Sequence, residues 1–190
     1  MKAKSELARQ IIHILLGMCA IGGMLILWKL THGWHYIALS IAWLALITYC
    51  TVIYLHSRGA KTPFDALFTY MGKRDSFPGE GALWYLLGII LALSFLDRFL
   101  YVIASIYILS VGDSISTIYS YKNKYIQSFF KGRSWISYLA FIIFTIPISL
   151  YAGVLVIPLI LICTMAESLD LKINDNFLIP LICVIYFRLI

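Results

Sequence analysis

Apolar positions along this chain come in long blocks, separated by short polar punctuation, and not in the alternation that a half-buried strand would show. A bilayer crossing needs roughly 20 apolar residues. The blocks therefore predict spans over about Ile11–Trp28, Trp34–Tyr54, Ala82–Leu96 and Phe99–Ser120. The run Trp135–Met165 is too long for one comfortable crossing and short for two. Pro147, Tyr151-Ala152-Gly153 and Pro158 interrupt it, which predicts two short or kinked helices. A last short span is expected over Phe177–Phe187, with Pro180 near its first turn, where proline is tolerated. The expected fold is an all-α, polytopic membrane helix bundle of about seven transmembrane segments, forming one domain over 1–190.

One block breaks its own pattern. Gly112-Asp113 puts a carboxylate inside the fourth span, and on a helix Asp113, Ser116, Thr117, Ser120 and Lys124 fall at i, i+3, i+4, i+7 and i+11. Ser and Thr on such a stripe are ordinary helix–helix contacts in membranes. An ionisable group at that depth costs several kcal/mol unless partnered, so Asp113 is a candidate functional residue.

Composition agrees with the blocks: 62% of residues are hydrophobic and 13% charged, with a mean hydropathy of +0.90. These values exclude an ordinary soluble domain. Cys19, Cys50, Cys163 and Cys183 lie in apolar runs without paired or metal-like spacing, and read as small buried hydrophobes. Lys2, Lys4 and Arg9 precede an apolar stretch with no small-residue cleavage pattern, so the first span is expected to be retained. The net charge of +6 is dispersed, which favours anionic headgroups or a phosphorylated substrate over nucleic acid. With seven spans and a cytoplasmic N-terminus, twelve basic residues fall inside and only Lys29, Arg98 and Arg188 outside. That bias predicts this orientation.

The same orientation gathers the polar segments on the cytoplasmic face. Glu6, Arg9 and His13 share one helix face by spacing. The connection Ser57–Glu80 holds Lys73 and Arg74, a stretch Phe64–Met71 suited to an interfacial helix, and Pro78-Gly79, whose permissive backbone would let a phosphate approach the following helix N-terminus. Lys122, Lys124, Lys131 and Arg133 follow the fourth span, either as topology signals or as phosphate ligands. Glu167, Asp170, Asp175 and Asn176 form the densest acidic segment. Carboxylates beside basic residues suit phosphoryl or nucleotidyl transfer with a divalent metal. The chain has no G-x-x-x-x-G-K-[ST], H-E-x-x-H or G-x-S-x-G.

Four segments occur in order: Glu6-x-x-Arg9-x-x-x-His13-x-x-x-Gly17, Phe77-Pro78-Gly79-Glu80-Gly81-Ala82 with Leu86-Leu87-Gly88, Gly112-Asp113-Ser114, and Glu167 followed by Asp175-Asn176 and Pro180. Together they resemble the CTP-dependent lipid kinases that include dolichol kinase, phytol kinase and the yeast-type diacylglycerol kinase, relatives of the phosphatidate cytidylyltransferases. In two places the chain departs from that pattern: Ile136-Ser137 stands where the family has Glu-Gly, and Ser120 where it has glycine. The resemblance implies transfer of the terminal phosphate of CTP, with Mg²⁺, to a membrane-embedded isoprenoid alcohol of the polyprenol or dolichol type. Diacylglycerol is the second choice of acceptor. It further implies Asp113 and Asp175 as catalytic and metal-binding residues. Lys122, Lys131 and Arg133 are assigned to the triphosphate, with Lys73, Arg74 and Gly79 as further phosphate contacts. Asn176, Glu167, Gly112, Arg9 and His13 are supporting residues. A cytidylyltransferase, a transporter using Asp113 as an ion site, and a scaffold without activity stay open as alternatives.

Overall fold

The computed structural model describes residues 2–62, 79–122, 128–130, 133–169 and 173–190, and side chains throughout these except at 2–5, 122, 128–130 and 133. Helices dominate. In chain order they are α1 (Lys2–Leu30), α2 (Trp34–Ser57), α3 (Glu80–Phe95), α4 (Phe99–Tyr107), a π-helical segment (Ile108–Asp113), α5 (Ser114–Lys122), α6 (Trp135–Thr145), a 3₁₀ turn (Ile146–Ile148), α7 (Ser149–Ala152), α8 (Val156–Ser168) and α9 (Asp175–Leu189). A small antiparallel pair, β1 (Ser128–Phe130) and β2 (Arg133–Ser134), precedes α6 and is the one departure from all-α among the described residues.

The protein is an integral membrane helix bundle. Glu6–Leu30, Trp34–Ser57, Phe99–Tyr121 and Trp135–Ala152 are long and apolar enough to cross a bilayer. Among the described residues four helices reach full spanning length, fewer than the about seven segments, some short or kinked, that the sequence predicts. Helices α3, α8 and α9 have 16, 13 and 15 residues, or about 20–24 Å at 1.5 Å per residue, against a hydrocarbon core of about 30 Å. They are short because polar or turn-forming residues bound them: Gly79 and Asp97 around α3, Gly153 before α8, Asn174 before α9.

The continuous rod formed by α4, the π segment and α5 is the centre of the bundle. Its apolar stretch is 72% buried, against 17–28% for the other three long helices. Around it, α3 packs most extensively on α9, α6 on α5, and α1 on the π segment and α5. Leu93, Ile106, Leu109, Phe141, Leu159, Ile160 and Ile179 fill the core. Exposed Ile26, Leu44, Ile47 and Leu150 make the outer surface apolar, as contact with lipid requires.

Three crossings depend on glycine. A Cβ on Gly17 would overlap the Ser110 side chain, and one on Gly112 would stand 2.7 Å from the Phe141 ring. On Gly88 it would run into the Asn176 carbonyl and Pro180. Pro180 is the sixth residue of α9, past the first turn where the sequence suggested it. Having no N–H, it leaves the Asn176 carbonyl without its α-helical donor just where α3 comes closest. In the long apolar run, Pro147 coincides with the 3₁₀ turn and Gly153, at φ +91°, ends α7.

Candidate functional site

The polar groups gather at one end of the bundle, around a cavity of about 250 Å³ between α1, α3, the central rod and α9. Helix α1 contributes Glu6, Arg9, Gln10 and His13, the i, i+3, i+4 and i+7 face that spacing predicts. Asp113 and Thr117 come from the central rod, Gly81 from the start of α3, and Asn174, Asp175 and Asn176 from the start of α9. The opposite ends of α3 and α9 are tied together elsewhere, where Arg188 Nε donates to the Phe95 carbonyl at 2.7 Å.

Three carboxylates from three elements meet here. Asp113, Glu167 and Asp175 each offer an oxygen, and these atoms all lie within 4.8 Å of one another. Asp113 and Glu167 are buried, Asp175 partly so. Like charges so close are relieved by positive charge beside them or by a proton held between two of them. Oxygen ligands around one hard cation lie up to about 4–5 Å apart, so the set fits a divalent metal of the Mg²⁺ or Ca²⁺ type. Glu167 accepts a hydrogen bond from Ser116 Oγ, which also lies 3.0 Å from the Asp113 carbonyl oxygen. One hydroxyl hydrogen serves one strong bond, and the carboxylate is the stronger acceptor.

The backbone that presents Asp113 is unusual. The π segment ends at this residue, and its wider i→i+5 turns change the rotation of everything after it relative to a plain α-helix. Gly112 permits the close approach of Phe141 beside it. Of the polar stripe read from spacing, Ser116 is fully buried and bonded to Glu167, Thr117 lines the cavity, and Ser120 is half-buried.

Behind the cavity wall, Arg9 Nη2 donates to Glu6 at 2.7 Å and Gln10 Nε2 to the same carboxylate oxygen at 3.0 Å. The His13 and Tyr85 rings pack 4.8 Å apart. Tyr85 Oη lies 2.7 Å from Ser110 Oγ, and Ser110 Oγ donates to the Ile106 carbonyl. Ser110 has thereby used its hydrogen, so Tyr85 is the donor to Ser110. At the other wall Asn174 caps α9 by accepting from the Asn176 N–H, and Asn176 Nδ2 donates to the Gly81 carbonyl at 3.0 Å. The last bond ties the starts of α3 and α9 together.

The structure thus brings Asp113, Asp175, Asn176, Arg9 and His13 to one cavity, with Glu167 in the carboxylate cluster and Gly112 at the helix crossing. Gly79 is not on the wall. It adopts φ +81° before α3, and its carbonyl accepts from Tyr49 Oη, while Gly81 lines the cavity. Lys73, Arg74 and Lys131, and the side chains of Lys122 and Arg133, lie outside the described residues. So do Asp170 and the stretch Phe64–Met71. Sequence reasoning passed over Gln10, Tyr85, Ser110 and Asn174. The spacing of Gln10 four residues after Glu6 was the one local signal for any of them.

No family model matches the chain, and no solved structure matches it. Over 181 residues the chain is 28% identical to a protein of Methanocaldococcus jannaschii described only as uncharacterized, a similarity covering 93% of this chain and 90% of that one. The two are therefore alike nearly end to end.

Proposed function

We propose that this protein is a CTP-dependent kinase that phosphorylates a membrane-embedded isoprenoid alcohol at the cytoplasmic face. The observation that carries the reading is the meeting of Asp113, Glu167 and Asp175 beside a polar cavity in an otherwise apolar bundle. An ionisable residue buried at membrane depth is costly and is a functional candidate by default. The four ordered segments that resemble CTP-dependent lipid kinases supply these three acids together with Arg9, His13 and Asn176.

In the proposed reaction the alcohol oxygen bonds to the γ-phosphorus of CTP, the bond from that phosphorus to the β–γ bridging oxygen breaks, and CDP leaves. Asp113, Glu167 and Asp175 would hold Mg²⁺. When bound, the ion neutralises phosphate oxygens as charge moves towards the leaving group. Ser116 orients Glu167. The hydroxyl proton passes to an Asp113 carboxylate oxygen and then to solvent. Arg9, held by Glu6, supports the site electrostatically, and the basic residues Lys73, Arg74, Lys122, Lys131 and Arg133 serve the triphosphate.

In this reading the short helices α3, α8 and α9 complete a seven-crossing bundle, with the N-terminus inside by the distribution of basic residues. A detergent assay with CTP, Mg²⁺ and a panel of lipid alcohols tests the reading. Release of CDP with a phosphorylated alcohol is expected. Pyrophosphate release would instead mark a cytidylyltransferase, and neither product a transporter or inactive scaffold.

A further inference from the structure

The helices of the bundle are level at one end and uneven at the other. At the end away from the cavity, Trp28 of α1 and Trp34 of α2 both pack on Phe99 at the start of the rod, with ring centroids 5.0 Å apart. Arg188 of α9 donates to the Phe95 carbonyl at the close of α3, and Phe187 stacks on Tyr101 of the rod at 4.1 Å. Tyr186 Oη donates to the Leu155 carbonyl just before α8. These ties set one shared height.

From that height the elements reach different distances. Helices α3, α8 and α9 stop at the carboxylates: α8 ends one residue after Glu167, α9 opens at Asp175, and Asn176 bonds the carbonyl of Gly81 in the first turn of α3. Helix α2 and the rod go on. Tyr49 Oη meets the Gly79 carbonyl just ahead of α3, and α2 continues from there to Ser57, while the rod continues from Asp113 to Tyr121. Each extension is about 12 Å at 1.5 Å per residue.

A flat bilayer does not fit that outline. Its hydrocarbon core of about 30 Å suits α2 and the rod, but α8, with 13 residues, covers only about 20 Å. A segment too short for the bilayer is matched by snorkelling side chains, by association with protein or by thinning of the lipid around it. Snorkelling needs long cationic side chains, and among the described residues the cavity ends of α3, α8 and α9 hold no Lys or Arg. The outer face of α8 stays apolar to its last turn, with Leu161, Ile162 and Met165 exposed, so it continues the lipid-facing surface of the bundle. Thinning also lowers the cost of ionisable groups at depth, such as Asp113 and Glu167.

We propose that the flank formed by α3, α8 and α9 binds a locally thinned leaflet at the cavity end, which draws lipid headgroups and their water down to the level of Asp113, Glu167 and Asp175. The polar head of a membrane lipid then reaches the cavity without leaving its leaflet. The inference rests on helix lengths and on the ties between helix ends, and not on the phosphotransfer reading, to which it adds a route of entry.

The test is nitroxide depth measurement by power saturation, with oxygen and a nickel chelate as paramagnets, on the full chain in dioleoylphosphatidylcholine vesicles. Single labels go on natural Cys50, Met165→Cys and Val154→Cys, all exposed, with Cys19 and, where it is not the probe, Cys50 replaced by alanine. Cys50 lies past Tyr49 towards the cavity end, about 24 Å from Trp34, whereas Met165 lies on the inner side of Glu167. In a flat bilayer Cys50 is therefore the shallower. The expected result is the reverse order, Met165 shallower than Cys50, with Val154 at the opposite interface. Cys50 shallower than Met165 overturns the proposal. A shallow Met165 with Val154 deep in hydrocarbon overturns it in favour of a tilted bundle. Exclusion of both paramagnets from Met165 overturns it by assigning the flank to protein, a segment of this chain or a second copy. Leu169→Cys, also exposed and just past α8, gives the same comparison with Cys50 if Met165→Cys fails to insert. Reversed depths without CDP formation from CTP keep the thinned leaflet and remove the kinase; CDP formation without reversal does the opposite.

Discussion

At the scale of single residues, the site is a graded set of dependencies on charge and orientation. Asp113→Asn keeps the side chain's shape and removes the charge that, in the proposed reaction, would hold a metal or take a proton. Turnover should fall at least about 100-fold, the upper range for groups that merely support metal ligands, while the protein stays inserted and folded. Glu167→Gln should act alike. Ser116→Ala retains all three acids and removes the hydroxyl that orients Glu167. A smaller loss of about 10–100-fold is expected, recovered in part at higher Mg²⁺. Steady-state rates across a Mg²⁺ titration distinguish the two classes, and a Ser116→Ala rate equal to that of the natural protein would remove it from the site. Asp175→Asn is a clean test of charge, because Asn174 and not Asp175 provides the side-chain cap of α9.

At the scale of elements, the site depends on how closely α1 and α6 approach the central rod. Gly17 sits against Ser110 of the π segment, with no room for a methyl group. Gly17→Ala should cost about 1–3 kcal/mol and lower turnover by moving the Glu6–His13 face away from Asp113. Adding Ser110→Gly removes the two nearest atoms that the methyl would meet, leaving Tyr85 Oη at 2.8 Å, and should recover part of both losses. A double-mutant cycle of thermal stability in detergent checks this, with a coupling of about 0.5–3 kcal/mol expected and strict additivity the contrary result. Gly112→Ala, facing the Phe141 ring, should destabilise to a similar extent.

Much of this architecture was legible in the sequence, because apolar blocks and proline or glycine punctuation are local signals. The helix boundaries near Trp34, Phe99 and Trp135 and the breaks at Pro147 and Gly153 are of that kind. So is the shared face of Glu6, Arg9 and His13. The π segment was not legible, since the 3.6-residue period does not reveal where one turn widens around a close neighbour such as Phe141. Nor did spacing show that Glu167 would join Asp113 and Asp175, because α8 and α9 are separate elements whose relative placement local periodicity does not encode. The Tyr85–Ser110 bond between helices far apart in sequence was equally out of reach.

At the scale of the whole molecule, one end of the bundle holds the polar cavity and the other the Arg188–Phe95 tie. The orientation proposed for those ends rests on the distribution of basic residues. Single-cysteine reporters at Arg58 and Arg98, with exposed Cys19 and Cys50 replaced, should be labelled by a membrane-impermeant reagent from the cytoplasmic and the external side respectively. The reverse pattern would overturn the proposed topology and move the cavity to the outer face. The central claim is that three carboxylates from three elements make this cavity a phosphotransfer site for a lipid alcohol. Its most direct test follows label from [γ-³²P]CTP into polyprenol, with Mg²⁺, using the natural protein and Asp113→Asn in identical micelles. The account predicts labelled polyprenyl phosphate and CDP in equal amounts from the natural protein, and neither above background from the variant. Unlabelled lipid from the natural protein, or equal labelling by both, would contradict it.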